Sequence, residues 1–200
     1  PYNLVPQKYR DLYKSIPLDS LVTDGNIPPA GTPMGDEYRR NVKDYYANIS
    51  GVDEQVGRII KALKDNHLLD NTILVFTADH GNCLGKHQQH SKNNIYEESL
   101  RIPMVIYWKD QIKPGIDNRF LCSMTDVYPT LLDLAGFKND IPASVDGVSH
   151  ADYFKLRKGK SPSEQFIMGA ISHKNMNSGF RGVRTNQFKL AYQKKDKTLR

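Results

Sequence analysis

The chain has 200 residues, with 28 Lys+Arg against 22 Asp+Glu, a formal charge of +6 and a pI near 9.2. Hydrophobic residues at 38% supply enough apolar material for a packed core and exclude a disordered chain. No apolar run approaches the ~20 residues of a membrane span, and Pro1–Arg10 lacks the charged-then-apolar order of a signal peptide. The only cysteines, Cys83 and Cys122, exclude a disulfide scaffold and a four-cysteine zinc site, and both are expected to be small packing residues. The charge is uneven: residues 1–80 carry −2, residues 81–150 carry −1 and residues 151–200 carry +9. This basic end reads as a solvated face, not a nucleic-acid site, because Phe180, Phe188 and Tyr192 fall at strand-like spacing, as core or sheet residues would.

Residues 1–35 hold Pro1, Pro6, Pro17, Pro28, Pro29 and Pro33 with no sustained period, and predict an extended surface segment with one short helix around Gln7–Lys14. From Asp36 to His67 the apolar residues Tyr38, Val42, Tyr45, Tyr46, Ile49, Val52, Val56, Ile59, Ile60 and Leu63 fall largely in steps of three and four. They predict a long amphipathic helix with an acidic start. Gly51 and Gly57 weaken it locally, as a close helix neighbour would require. Thr72–Ala78 is a continuous β-branched run that predicts a strand buried on both faces, and Met104–Trp108 predicts a second. A shorter strand is expected at Arg119–Ser123. Then comes a helix capped at Thr125 or Asp126, with Pro129 in its first turn and Gly136 as its stop. Beyond Pro142, Phe166–Ile171, Arg181–Thr185 and Phe188–Tyr192 predict short antiparallel strands, and Lys194–Arg200 a solvated tail. Helix followed by buried strand is the order of an α/β sheet.

The first strand runs into Ala78-Asp79-His80-Gly81. Ligands of open α/β sheets bind beyond the carboxyl ends of strands. Asp79 offers a hard oxygen, His80 an imidazole nitrogen, and Gly81 a tight backbone turn. Three of the six histidines fall between positions 80 and 90, in a loop that also carries Lys86 and Lys92. Such a loop offers donors for a tetrahedral oxyanion. A polar surface loop without chemistry would share this composition. Glu97 and Glu98, adjacent in sequence, point apart on a helix or turn and are expected to form salt bridges, with Arg101 as a partner.

The stretch DHGNCLGKHQQHSKNNIYEESLRIP, Asp79 to Pro103, resembles the sulfatase family. The resemblance continues on both sides. It takes in Tyr45-Tyr46-Ala47 with Val52-Asp53-Glu54 and Gly57-Arg58, then Thr125-Asp126 with Pro129-Thr130-Leu131-Leu132-Asp133-Leu134-Ala135-Gly136. It ends with Val145-Asp146-Gly147-Val148-Ser149 and Arg181-Gly182-Val183-Arg184-Thr185 with Lys189-Leu190. It implies an α/β, alkaline-phosphatase-like sandwich portion over 1–141, the carboxyl-side part of the sulfatase α/β domain. The start of a small C-terminal antiparallel sheet subdomain follows over 142–200. It implies Asp79 and His80 as metal ligands for Ca2+, or Mg2+, and Lys92 as the catalytic and substrate-binding lysine that contacts the sulfate. His87 is implied as a substrate-binding neighbour. Lys86, Gln88 and His90 stand where the family commonly has an acidic residue, a glycine and a tryptophan, and these departures are expected to tune substrate choice.

A sulfatase nucleophile is a formylglycine made from the Cys or Ser of a [CS]-x-[PA]-x-R motif. Cys83 and Cys122 do not begin one, and Ser15-Ile-Pro-Leu-Asp has Asp19 in place of arginine. The family's paired metal-binding aspartates are absent too. The expectation is therefore a carboxyl-side portion of a sulfuric ester hydrolase, inactive alone, with formylglycine in a preceding part and a sulfated small molecule or sulfated glycan as partner. The resemblance implies a periplasmic or secreted setting. A phosphodiesterase, phosphonate hydrolase or phosphatase of the same superfamily is the alternative enzyme, and a non-catalytic module binding an acidic or sulfated polymer the alternative outside enzymology.

Overall fold

The 33-residue helix starts where three local signals coincide. Thr32 is the N-cap, its hydroxyl accepting from Gly35 N at 3.2 Å; Pro33 takes the first helical position; and Asp36 places a carboxylate in the first turn. The computed structural model describes residues 2–156, 159–169, 174–175, 178–193 and 197–199. Residue contacts divide it into two units interleaved in sequence, 1–70 with 80–102 and 71–79 with 103–200.

In the first unit α1 (Gln7–Lys14) lies along α2 (Pro33–Asp65). Gly51 is small because Tyr9 crosses it: a Cβ there would stand 3.3 Å from the ring. Gly57 meets nothing within 4 Å, so only one of the two glycines marks a close neighbour. Lys8–Glu54 and Arg10–Asp44 pair the two helices at 2.6 and 2.8 Å. The core gathers Ile27, Tyr38, Val42 and Leu84, with Tyr2, Leu18, Leu21, Val22 and Tyr45 packed around it. The segment before α2 is thus not an extended surface strip: 3-10 turns at Tyr2–Leu4 and Leu18–Leu21 deliver apolar side chains inward. Their spacing follows neither a 3.6 nor a 2 period, which is why periodicity does not show them.

In the second unit β1 (Leu74–Thr77) pairs antiparallel with β2 (Met104–Tyr107), Leu74 opposite Tyr107 and Thr77 opposite Met104. The expectation of burial on both faces fails, with Phe76 42% and Val105 56% exposed. A short apolar run reads alike for one covered face or two. Arg119–Ser123 is not a strand: its amides turn to side chains, Arg119 and Phe120 to Asp117, and Leu121 to Ser161.

After the one-turn helix α3 (Glu97–Leu100) of the first unit, helix α4 (Met124–Leu134) of the second is capped two or three residues earlier than expected. Ser123 is the N-cap and Asp126 closes a capping box, accepting from Ser123 N at 2.8 Å. Pro129 therefore lies in the second turn, where it leaves the Thr125 carbonyl without its helical donor. Gly147 packs on that carbonyl so closely that a Cβ would stand 2.0 Å from it. Helix α5 (Ala151–Leu156) follows, and Phe120 stacks on its Tyr153 at 3.8 Å and meets His150 edge-on at 5.0 Å.

The last sheet runs β3 (Glu164–Gly169), β4 (Phe180–Thr185), β5 (Lys189–Gln193) and β6 (Thr198–Leu199), antiparallel in that order. Phe180 is buried and Tyr192 lies in the sheet, whereas Phe188 sits exposed in the β4–β5 turn and is not core. The Thr185 hydroxyl closes that turn by accepting from Gln187 N and Phe188 N. Of the expected strand 166–171, residues 170–171 lie outside the described residues, as do 194–196 and 200 of the expected tail; Lys197–Leu199 is not all tail, since it contains β6. No described helix is long and apolar enough to cross a membrane.

Two substitutions separate the glycine roles. Gly57→Ala is expected to stabilise the fold by about 0.5–1 kcal/mol. Gly147→Ala is expected to cost about 1–3 kcal/mol by driving a methyl into a backbone carbonyl. Denaturant unfolding of both variants checks the pair, and equal effects would overturn it.

Candidate functional site

The loop after β1 is held at its base by backbone bonds: Gly81 N donates to Ser99 O at 3.0 Å, and Cys83 N to Ser91 O at 2.9 Å. Gly81 is required by proximity, since a Cβ would stand 2.0 Å from Glu98 O, and not by a special turn. Cys83 is fully buried, its sulfur 3.3 Å from Ser99 Oγ. At the crest four residues have positive φ: Leu84 at 49°, Gly85 at 95°, His87 at 54° and Gln88 at 60°. Left-handed backbone is costly for the three that carry side chains. The crest is tied down by Leu84 in the core and by His87 N donating to Asn26 O at 3.0 Å.

The expected site residues fall in three settings. Asp79 closes the first segment of the second unit, and His80, next in the chain, opens the second segment of the first. His80 Nδ1 lies 2.8 Å from Gly81 O, which only accepts, so Nδ1 donates there and Nε2 is the ring atom that faces Lys92. Lys92 donates to that Nε2. His80 and Lys92 are thus brought together as a cation beside a neutral imidazole.

His87 has other partners. Its ring stacks on Tyr96 at 4.0 Å with 2° between planes, and Nε2 lies 3.0 Å from Glu98 Oε2. Glu98 also approaches Lys86 at 3.9 Å, so its partners are Lys86 and His87, not Arg101. Lys86 binds Asp24 at 2.8 Å, completing a chain Asp24–Lys86–Glu98–His87. Burial disfavours the Lys86 charge, but the hydrogen bond and charge of Asp24, with Glu98, outweigh it and raise the Lys86 pKa. The same bond to Lys86, helped by the Asn26 amide, lowers the Asp24 pKa. His90 is exposed and pairs with Glu37 at 2.7 Å. Asp24, Tyr96 and Glu37 escaped the sequence reading; Asp24 and Glu37 stand 62 and 53 residues from their partners, and no spacing rule links them.

The frame is that of the alkaline-phosphatase-like α/β proteins. Over the whole described chain it superposes with TM-score 0.92 and 42% identity on the crystal structure of the Bacteroides fragilis protein yidJ, covering 100% of this chain and 43% of that one. The Sulfatase family model matches residues 7–137, and the model for the C-terminal part of N-sulphoglucosamine sulphohydrolase matches 85–199. The chain belongs to the sulfatase family. It is 31% identical over 192 residues to an endo-4-O-sulfatase of Bacteroides thetaiotaomicron, covering 90% of this chain and 37% of that protein. It is 33% identical over 162 residues to an N-acetylglucosamine-6-O-sulfatase of the same organism, covering 78% and 28%. The chain therefore spans well under half the length of these relatives.

The Asp24–Lys86 pair sets a pH signature. With its folded pKa below the ordinary 3.8, Asp24 contributes stability that is full above that value and lost as pH falls through the lower one. Asp24→Asn should lower the melting temperature at neutral pH and flatten its fall below pH ~4; an unchanged slope would remove Asp24 from acid unfolding. Gln88→Gly should leave the fold intact and raise stability by up to about 1 kcal/mol, because glycine takes a positive φ freely. Urea denaturation measures it, and a loss would show that the Gln88 side chain outweighs the strain.

Proposed function

We propose that the protein hydrolyses sulfate esters carried on glycans, with Lys92 as the residue that meets the sulfate. The observation that carries this reading is the different state of the two lysines of the loop. Lys86 is neutralised by Asp24 and Glu98, whereas the described partner of Lys92 is the neutral imidazole of His80. Lys92 is also exposed, so its positive charge is available to an incoming anion. Charge that grows on the sulfate oxygens as the S–O bond breaks is offset by that ammonium.

Asp79 and His80 are the proposed ligands of a hard dication, Ca2+ or Mg2+, in line with family membership. The donor set fits in kind, a carboxylate and an imidazole, although His80 Nε2 would have to exchange its bond from Lys92 for one to the ion. These two groups are fewer than the six or more donors such an ion takes, so waters or further residues would complete the shell. When bound, the ion supplies Lewis acidity toward the nucleophile and the sulfate. The nucleophile proposed is a formylglycine outside these 200 residues, so the isolated polypeptide is expected to be inactive. His87, oriented by Tyr96 and Glu98, is proposed to face the substrate near the ester. Residues 1–141 are assigned to the α/β domain and 142–200 to the sheet subdomain. The glycan class follows the two Bacteroides thetaiotaomicron relatives, whose names specify a sulfated sugar or an endo-acting 4-O-sulfatase.

In the full-length enzyme Lys92→Ala should abolish release of sulfate from a sulfated oligosaccharide while the melting temperature stays within a few degrees. Undiminished turnover would overturn the role of Lys92. Turnover of a phosphonate monoester or phosphodiester with no release of sulfate would overturn the sulfatase reading itself.

A further inference from the structure

Outside the loop after β1, three side chains with metal-binding atoms converge in the second unit. Cys122 Sγ, an Asp126 carboxylate oxygen and a His150 ring nitrogen all lie within 4.8 Å of one another. Asp126 and His150 are buried and Cys122 is partly so. The three come from the segment before α4, its first turn and the residue preceding α5. No resemblance or composition rule marks them as a group, and Cys122 read from sequence is only a small packing residue. We propose that Cys122, Asp126 and His150 form a binding site for a soft-to-borderline divalent cation, Zn2+ in the first place, that locks the start of α4 to the 147–150 segment.

The geometry is close to what such an ion needs. Tetrahedral zinc with one sulfur, one nitrogen and one oxygen ligand sets its ligand atoms about 3.3–3.6 Å apart. His150 Nε2 and Asp126 Oδ2 already stand 3.2 Å apart. The remaining gap is at most 4.8 Å, and the described bond of Cys122 Sγ, to Ser123 O at 3.7 Å, is long and weak. The carboxylate is held in place independently of the ion. Its Oδ1 accepts from Val148 N at 2.9 Å and its Oδ2 from Ser123 N at 2.8 Å, and on Oδ2 the ion would take the place of the His150 bond. These backbone donors are the supporting contacts that orient a ligating carboxylate. The Gln165 amide reaches Oδ2 at 3.4 Å and, turned over, presents its oxygen as a fourth donor; a water is the other candidate.

Charge balance favours a thiolate-binding dication over a bare ion pair. A cysteine with no cation beside it holds its thiol proton at neutral pH. Zn2+ entry expels that one thiol proton and moves the His150 proton from Nε2 to Nδ1. Thiolate, carboxylate, neutral imidazole and dication then sum to zero, and a buried neutral cluster avoids the cost of an uncompensated charge. The donor set also separates this site from that proposed at Asp79 and His80, because a sulfur ligand selects zinc over calcium or magnesium.

The test is Co2+ titration of the chelator-treated full-length protein in excess Ca2+, which leaves the hard-ion site filled. The expected result is the visible spectrum of four-coordinate Co2+ with a thiolate-to-metal charge-transfer band, displaced by Zn2+ with one proton released per ion. Cys122→Ser and Cys122→Ala should remove the charge-transfer band, and His150→Gln should weaken Zn2+ binding by more than about tenfold. Cys83→Ser should change neither. Absence of the band in the wild type, or its survival in both Cys122 variants, would overturn the proposal and leave the cluster a hydrogen-bonded helix cap.

Discussion

The bond from Gly81 N to Ser99 O is the constraint on which the loop after β1 depends. It closes the base of the 80–102 segment at a point where a single added methyl would strike backbone. The Cys83–Ser91 backbone bond and the buried Cys83–Ser99 contact extend the closure inward. A closed base lets the crest adopt left-handed backbone, because the cost at Leu84, His87 and Gln88 is met by contacts that would otherwise be lost. Lys92 lies on the return side of the same closed loop, and its approach to His80 is set by that closure. Without it, a flexible polar segment would present the same residue types in no fixed arrangement.

The elements that sequence revealed are those whose information is local. Helix α1 shows in the run Gln7–Lys14 and α2 in its steps of three and four, because helical burial has a period that a reader can count. β1 and β2 show in their β-branched runs, although a run alone does not tell how many faces are covered. The position of α4 was legible to within a turn, since Ser123, Thr125 and Asp126 all offer a capping side chain and only geometry chooses. In the candidate site, Asp79, His80, His87 and Lys92 were legible as residue types clustered after a strand end. Their partners were not. Asp24 reaches Lys86 across the fold of the first unit, and Gly147 meets Thr125 because Pro129 vacates a hydrogen bond. Such pairings follow from packing, which distributes its signal over positions far apart in the chain.

Electrostatics divides the ionisable groups of this chain into two kinds. One kind is compensated: Lys86 between Asp24 and Glu98, and Asp126 among two backbone amides, His150 and Gln165. Such groups stabilise position, because removing one partner leaves the other desolvated and unmatched. The other kind keeps a charge or lone pair in excess of its protein partners, as Lys92 does beside an imidazole.

This division also explains why the departures at Lys86 and Gln88 need not alter the chemistry assigned to Lys92. A cation at position 86 adds no field at a distance when two carboxylates lie against it, so the loop gains a fastening without a second anion-binding charge. The glutamine at 88 holds a backbone conformation that glycine would hold with less strain, which changes the stability of the crest and not its path. Substrate selection by these positions would then act through how firmly His87 is held over Tyr96 and against Glu98. His90 of the same loop pairs with Glu37 of α2 while remaining exposed. The crest is thus fastened by side chains of α2 and the segment before it, while the base of the loop is closed by the backbone itself.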